Sequence, residues 1–226
     1  MKKTILAACV LSVMAAVAQA GEAEIRKAVE GRIGKVEKLS KSPLPGMWEA
    51  IVDNQVFYVE ESGQYLLAGN LVDLRNGKNL TAERQFGLLP LDLALKQVRG
   101  SGKNVLVTFE DPNCGYCKKL AKELVKVKNV TVYTFLYPVL GDDSFEKSKA
   151  IWCSADRMKT WNDWMLNGKS VGTAPEKCDL KGLEATIALG QKMRINGTPA
   201  LVFGNGERLP GYIPAEEIEK RFAAGS

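Results

Sequence analysis

Two cysteines near the middle of the chain, Cys114 and Cys117, are separated by two residues within DPNCGYCKKL, residues 111–120. Thiols at this spacing can bind a metal, form a local structural disulfide, or exchange electrons with another disulfide. Zinc is disfavoured because the chain has no histidine, and the other candidate ligands, Cys153 and Cys178, do not repeat the spacing. A local disulfide across a two-residue gap constrains little chain entropy, so redox exchange is the favoured hypothesis.

The surrounding residues predict different roles for the two sulfurs. An apolar run at 105–109 predicts a strand before the pair, and the apolar spacing over 114–127 predicts a helix after it. Free N–H groups and the dipole at a helix start stabilise a thiolate, and lysines 118 and 119 add positive charge. We therefore predict Cys114 as an exposed nucleophile and Cys117, one turn later on the buried face, as the resolving thiol.

The N-terminus predicts export. Two lysines precede a mostly apolar segment, 5–17, and residues 18–20, Ala-Gln-Ala, have the small-x-small pattern of a signal-peptidase site. The apolar segment is shorter than the roughly 20 residues of a membrane span, which argues against an uncleaved anchor. We expect residues 1–20 to be a signal peptide and its removal, with Cys9, to leave an even number of cysteines, as suits an oxidising compartment.

Composition excludes several classes of function. The absence of histidine excludes a Ser-His-Asp triad, a Cys-His pair and a histidine-ligated metal. The formal net charge is only +5 and the lysines are scattered, so nucleic acid is not an expected partner. Because the cysteines themselves carry the redox couple, no metal and no cofactor are expected.

The first half of the sequence predicts a small α+β unit followed by a helix. Residues 22–39 have the apolar spacing of an amphipathic helix. Four short β-rich runs follow, at 47–52, 56–59, 65–68 and 71–74, separated by turn signals. Such a unit has little core and an open sheet edge, and dimerisation would satisfy both needs. The spacing over 81–102 predicts a connecting helix, broken or started at Pro90.

Strands and helices alternate in the second half, which predicts an α/β fold. Strand 105–109, the helix after it and the apolar run 130–137 predict a parallel crossover, and 142–195 is predicted as mostly helical. The closing elements are a strand at 200–203, a hairpin turn at Asn205-Gly206 and a helix at 215–222.

Two further features bear on chemistry. Cys153 and Cys178 are interpreted either as a structural disulfide, worth about 3 kcal/mol by loop closure, or as a second redox pair. The segment Gly197-Thr198-Pro199 comes just before the last apolar strand, 200–203, and its proline either starts an edge strand or is cis.

Several motifs together resemble one bacterial family. The order of strand, CxxC, helix and Thr-Pro resembles the thioredoxin superfamily, and most of the chain after residue 20 is similar to the DsbC/DsbG family of periplasmic disulfide isomerases. The motifs that carry this resemblance are CGYC at 114–117, KAIWC at 149–153, GKSV at 168–171, GTPA at 197–200 and PGY at 210–212.

The resemblance implies a V-shaped homodimer. It implies a cystatin-like α+β dimerisation domain at 21–80, a linker helix at 81–102, and a thioredoxin-like domain at 103–226 with a helical insertion at about 142–195. The implied site residues are catalytic Cys114 and Cys117, substrate-binding Gly115, Tyr116, Thr198 and a cis Pro199, and a structural disulfide between Cys153 and Cys178.

The resemblance also implies an activity. The protein is expected to isomerise or reduce incorrect disulfides of secreted proteins in the periplasm, to act as a chaperone, and to be kept reduced by a membrane thiol reductase of the DsbD type. A DsbG-like reductase, a DsbA-like thiol oxidase and a non-catalytic dimeric holdase are the alternatives.

Two positions depart from the family patterns. Lys118 stands where DsbC-like sequences have histidine, so thiolate tuning is expected to differ. Thr108 stands where thioredoxin has a buried aspartate, and the nearest upstream carboxylate, Glu110, is expected to be a solvated loop residue.

Overall fold

A computed structural model describes residues 21–225, and these residues divide after Gln85 into two compact units. The predicted signal peptide lies outside the described residues. In the first unit, residues 21–30 form helix α1. The strands that follow are β1 Lys38–Lys41, β2 Met47–Val52, β3 Gln55–Glu60, β4 Leu66–Leu67, β5 Val72–Asp73 and β6 Lys78–Asn79. The first four form an antiparallel sheet in sequence order, and β5 pairs with β6 separately.

Helix α1 and helix α2 (Leu80–Phe86) complete the first unit. Ile25 and Val29 of α1 are buried in an apolar cluster with residues of β2 and β3. Helix α2 is fastened to the sheet by polar contacts: the hydroxyls of Thr81 and Tyr58 are 2.6 Å apart, and Arg84 Nε donates to Glu49 Oε1 at 2.6 Å.

The helix predicted over 22–39 is too long. The chain leaves the helix after residue 30, and Gly34 adopts φ +151°, a conformation that favours glycine. Val36 remains buried, held by its N–H bond to Glu30 Oε1 and by Arg26 Nη1, which donates to its carbonyl. Residues 38–41 then pair with β2, so strand pairing overrides the helical spacing.

The second unit is built on a five-stranded sheet. Its strands are β7 Leu95–Arg99, β8 Asn104–Glu110, β9 Val130–Leu136, β10 Ala200–Phe203 and β11 Arg208–Pro210. Their spatial order is β11-β10-β8-β9-β7, with β8 parallel to β9, as predicted, and the other pairs antiparallel. The hairpin predicted at Asn205-Gly206 joins β10 to β11.

The connecting helix predicted over 81–102 is wrong beyond α2. Residues Leu91–Leu93 form a 3-10 turn, and Leu95–Arg99 is strand β7 at the edge of the sheet. Leu95 is buried and Val98 is 55% exposed, so their three-residue spacing does not mark one face of a helix. Pairing with β9 provides partners for the backbone groups on one side of β7, which outweighs the local pattern.

The helices of the second unit are α3 Gly115–Leu124, α4 Asp142–Trp152, α5 Arg157–Asn167, α6 Lys181–Lys192 and α7 Ala215–Ala224. Alternate residues of β8 point to opposite faces of the sheet. Leu106 packs in a cluster with residues of α3 and α7, whereas Val107 packs with Leu189 of α6. Within residues 21–225, no helix has both the length and the apolar character needed to cross a membrane.

Candidate active site

Helix α3 begins directly at the cysteine pair, as predicted. Cys114 is the N-cap residue, with φ −71° and ψ 117°, and its Sγ accepts the backbone N–H of Cys117 at 3.2 Å. This contact satisfies one of the N–H groups that a helix start leaves free.

Both thiols are free and both are buried, to different degrees. Cys114 is 6% exposed and Cys117 is 0% exposed. The predicted exposure of Cys114 is therefore wrong, because its side chain lies in an apolar cluster with Trp161 and Met165 of α5. The two residues between the cysteines, at 115–116, are exposed.

The loop before β10 contacts Cys114. The Cys114 thiol donates to the carbonyl oxygen of Thr198 at 3.2 Å, and the Thr198–Pro199 peptide bond is cis, as the resemblance implied. The Gly211 N–H donates to the Pro199 carbonyl at 2.7 Å and ties this loop to the chain after β11. Residues that are 84 positions apart in sequence thus meet at one sulfur.

A buried carboxylate, Asp111, fixes the turn before Cys114. Its Oδ1 accepts the Asn113 N–H at 2.7 Å and the Ser144 hydroxyl at 2.8 Å, and its Oδ2 accepts the N–H groups of residues 139 and 140 at 2.8 and 3.0 Å. Four donors offset the cost of burying this side chain. Asp111 was not among the predicted site residues, although Asp-x-Asn is a turn pattern that could have indicated it.

Glu110 lies at the end of β8 and is 1% exposed, so its expected place in a solvated loop is wrong. The Thr108 hydroxyl, on the same face of the strand, donates to Glu110 Oε1 at 2.7 Å. Glu110 Oε2 has no hydrogen-bond partner among residues 21–225. Burial raises the pKa of Glu110 to about 7, against the opposing effect of hydrogen bonds from Thr108 and Thr134.

The Glu110 carboxylate acts on Cys117. Burial raises the pKa of the Cys117 thiol, and the negative charge of Glu110 raises it further, whereas a backbone hydrogen bond from Asp111 lowers it. Two neighbouring buried groups do not ionise together readily, so their protonation is coupled. Glu110 is therefore suited to accept the proton that Cys117 must lose before it attacks a disulfide.

The two lysines after the pair lie over aromatic rings. Lys118 Nζ is 4.1 Å from the ring centroid of Trp164, and Lys119 Nζ is 4.8 Å from that of Tyr116. The Trp164 indole N–H also donates to the carbonyl oxygen of Pro112 at 2.6 Å. Helix α5 thus anchors the loop before Cys114, and cation–π contacts hold the positive charges near the pair.

Both units match known protein domains. The thioredoxin-like domain matches residues 91–226, and the disulfide bond isomerase protein N-terminal domain matches residues 16–82. The thiol:disulfide interchange protein DsbC of Escherichia coli (strain K12) is 30% identical over 228 residues, which cover 97% of this chain and 95% of that protein. The chain belongs to the DsbC family.

Two further relatives extend the similarity within the DsbC family. A relative from Bordetella parapertussis, which also carries the DsbC name, is 43% identical over 183 residues, or 78% of this chain. The match spans less than two thirds, 64%, of that relative's length. The crystal structure of a disulfide interchange protein from Neisseria gonorrhoeae is 41% identical, covers 61% of this chain and 98% of that chain, and has a TM-score of 0.56.

The second cysteine pair of this DsbC-family chain is a disulfide. Cys153 and Cys178 are bonded with a Cα–Cα distance of 6.0 Å, so the predicted pairing is confirmed. The bond joins the end of α4 to the loop before α6. Within residues 21–225, no three Cys, Asp or Glu side chains are grouped so as to hold a metal ion.

Proposed function

We propose that this protein rearranges and reduces incorrect disulfide bonds in exported proteins, with Cys114 as the attacking thiol and Cys117 as the resolving thiol. The observation that carries the proposal is the unequal setting of the two sulfurs. Cys114 caps α3 and contacts the Thr198 carbonyl, whereas Cys117 is fully buried and coupled to Glu110. Membership of the DsbC family supports the same chemistry.

In the first step, the Cys114 thiolate attacks a disulfide of the client protein. One client sulfur becomes bonded to Cys114, and the other leaves as a thiolate. For isomerisation, a different client thiolate then attacks the client sulfur of this mixed disulfide. A new client disulfide forms, the Cys114 thiolate is released, and no net electrons are transferred.

Reduction of the client uses Cys117 instead. Its thiolate attacks the Cys114 sulfur, the client leaves as a thiolate, and Cys114 and Cys117 form a disulfide. Glu110 accepts the Cys117 proton in this step. Two electrons must then restore the dithiol, and we assign their supply to a membrane thiol reductase of the DsbD type. The two sulfurs carry the redox change, so the cycle requires no bound cofactor.

Client binding is assigned to the surface around Cys114. Gly115 and Tyr116 are exposed beside it, and Thr198 and Pro199 present backbone groups on its other side. The ring centroids of Tyr116 and Tyr212 are 6.5 Å apart, which supports an apolar rim at this position. Such a rim would contact the side chains next to a client cysteine.

We assign the protein to the periplasm as a homodimer joined through its first unit. The match to the DsbC-type N-terminal domain and the signal-like sequence at 1–20 support this assignment. Tyr65 and Leu74 are 74% and 94% exposed, and Leu67 and Val72 are also exposed, on and beside the edge strand β4. Apolar surface of this kind on an open edge favours burial against a second copy and would also hold unfolded chains.

Refolding of a client with scrambled disulfides tests the catalytic assignment. Wild-type protein should speed recovery of client activity, and Cys114→Ala should not. Undiminished recovery with Cys114→Ala would leave the holdase interpretation instead.

Light scattering of the purified protein should give the mass of a dimer, and a monomer would contradict the role given to the first unit.

The resting redox state tests the direction of the reaction. Acid-quenched alkylation in the periplasm, followed by mass analysis, should find Cys114 and Cys117 mostly as thiols. A pair that is mostly oxidised would indicate a DsbA-like oxidase. Reduction of clients with a single oxidised cysteine, without rearrangement of scrambled disulfides, would indicate a DsbG-like reductase.

A further inference from the structure

A groove of about 670 Å³ runs along the hairpin of β10 and β11 in the second unit. One side is the loop that leads into β10, and the other is the end of β11. Apolar residues such as Ile195 and Leu209 line its middle. The complete lining is residues 194–202 and 208–211, which include no acidic side chain.

The groove begins at the candidate active site. Thr198 and Pro199 line it, and the Thr198 carbonyl is 3.2 Å from Cys114 Sγ. Gly211, on the opposite side, is bonded to Pro199 and precedes Tyr212, whose ring lies near that of Tyr116. A polypeptide joined to Cys114 by a mixed disulfide therefore has this groove directly beside its cysteine.

Two arginines lie at the other end of the groove. Arg208 is paired with Val202 in the hairpin, two residues beyond Pro210, which places it about 7 Å further along the strand. Its Nη2 donates to the Met193 carbonyl at 2.6 Å, and burial lowers the pKa of its guanidinium. Arg194 is exposed.

Neither arginine is neutralised by the protein. Among residues 21–225, the Arg194 side chain has no hydrogen-bond or ion-pair partner, and Arg208 has no carboxylate partner. Arginine donors favour carboxylates, which their planar guanidinium can bind through two parallel hydrogen bonds. The charge at this end of the groove is therefore complementary to an acidic group.

We propose that this groove binds the client chain next to its reactive cysteine and selects clients with an acidic residue nearby. Ile195 and Leu209 would contact an apolar client side chain, and Arg194 and Arg208 would bind an Asp or Glu about two to four residues from the cysteine, given roughly 3.3 Å per extended residue. The proposal rests on the proposed function, because Cys114 must hold the client. It adds a preference for client sequences that have an acidic residue near the reactive cysteine.

Model peptides with one cysteine test the preference. Each cysteine is joined to thionitrobenzoate as a mixed disulfide, and reduced protein attacks the peptide sulfur and releases the coloured thiolate, which has the lower pKa. Peptides carry Asp, Asn or Lys three residues before or after the cysteine. At low salt, the Asp peptide should react about threefold to tenfold faster than the Lys peptide on one of the two sides, and 0.5 M salt should reduce this ratio.

Charge variants test whether the arginines cause the preference. Arg194→Glu should abolish or invert the Asp-to-Lys ratio, and Arg208→Gln should reduce it. Lys128→Glu is the matched control, because it changes the net charge by the same amount as Arg194→Glu. Lys128 lies just before β9, whereas the chain segment that Asp111 holds near the active site follows β9. Lys128→Glu should keep the wild-type ratio.

The outcomes separate this proposal from the one on which it rests. Equal rates for Asp and Lys peptides, or an equal loss of preference in Lys128→Glu and Arg194→Glu, would overturn the groove proposal alone. A failure of Cys114 to attack even free dithionitrobenzoate would overturn the proposed function, and the groove proposal with it. A ratio that survives in Lys128→Glu but is lost in Arg194→Glu supports the groove.

Discussion

The two cysteine pairs of this chain have opposite surroundings. Cys114 and Cys117 share the first turn of α3, and the buried acidic residues Glu110 and Asp111 lie four and three residues before Cys114. Cys153 and Cys178 are 25 positions apart and join the end of α4 to the loop before α6, and each is half-buried. The comparison indicates that surroundings rather than the sulfurs set the role: one pair has a proton acceptor and a contacting loop, and the other closes a long segment of chain.

Each pair is also anchored by one tryptophan. The Trp164 indole N–H donates to the Pro112 carbonyl beside the first pair, at 2.6 Å. The Trp152 indole N–H donates to the Asp179 carbonyl beside the second pair, at 3.0 Å. The same kind of hydrogen bond thus holds a loop beside each cysteine pair. The same substitution at the two tryptophans can therefore be compared directly.

Replacement of Cys114 by serine should have the largest effect. The rate of client disulfide exchange should fall at least ~100-fold, because a hydroxyl does not replace a thiolate in attack on sulfur. Recovery of activity by a client with scrambled disulfides measures this rate. Cys117→Ser is the companion variant, and it should accumulate client proteins joined to Cys114 because the resolving thiol is missing. If Cys114→Ser exchanged client disulfides at the wild-type rate, Cys114 and Cys117 would not be the reactive pair.

Removal of the other pair should affect stability instead. The double variant Cys153→Ala with Cys178→Ala should lose about 3 kcal/mol in the free energy of unfolding, because the closed segment gains entropy when unfolded. Urea unfolding measures this loss, and client exchange measured below the unfolding transition should stay near the wild-type rate. Lost exchange with unchanged stability would reverse the roles given to the two pairs.

Glu110, beside the first pair, should make the free energy of unfolding depend on pH, an effect that the Cys153–Cys178 disulfide cannot have because it does not titrate. Its pKa is raised from 4.5 to about 7, so the folded chain retains a proton that the unfolded chain has lost between these values. The contribution of Glu110 to the free energy of unfolding is therefore largest below about pH 4.5, and by pH 8 its loss is about 3 kcal/mol at most. Urea unfolding of Glu110→Gln should lack this fall.

A kinetic measurement completes the test of Glu110. At neutral pH, Glu110→Gln should release clients from Cys114 more slowly than wild type, because glutamine does not accept the Cys117 proton. A constant difference in stability between Glu110→Gln and wild type from pH 4 to pH 8, with unchanged client release, would separate Glu110 from the chemistry of the pair.

Elements set by local pattern could be predicted from the sequence. The apolar runs that became β8, β9 and β10 are nearly continuous because both faces are buried, and the helix after Cys114 has a clear apolar face. Strands β1 and β7, both predicted at least in part as helix, lie at sheet edges, and their apolar spacing resembles that of a helix. Their conformation is set by the neighbouring strand, which a local pattern does not reveal.

Only the part of the site that depends on neighbouring residues in the sequence could be predicted. The cysteines are adjacent in sequence, so their roles follow from one turn of helix. Asp111 and Trp164 act through partners 28 to 52 positions away, and these distances are set only by the folded chain. The burial of Glu110 depends on β8 lying between two other strands, so its sequence neighbours alone suggested a loop.

The two tryptophans provide the smallest expected effect and the sharpest comparison. Trp164→Phe and Trp152→Phe each remove one indole hydrogen bond and keep most of the ring, so each should lower the free energy of unfolding by about 1 kcal/mol. Only Trp164→Phe should also slow client exchange, by a few-fold, because the freed Pro112 carbonyl lets the turn before Cys114 move. Urea unfolding and client refolding, measured on both variants, separate the two effects. Equal slowing by both variants would mean that exchange follows the stability of the whole unit rather than the placement of one sulfur.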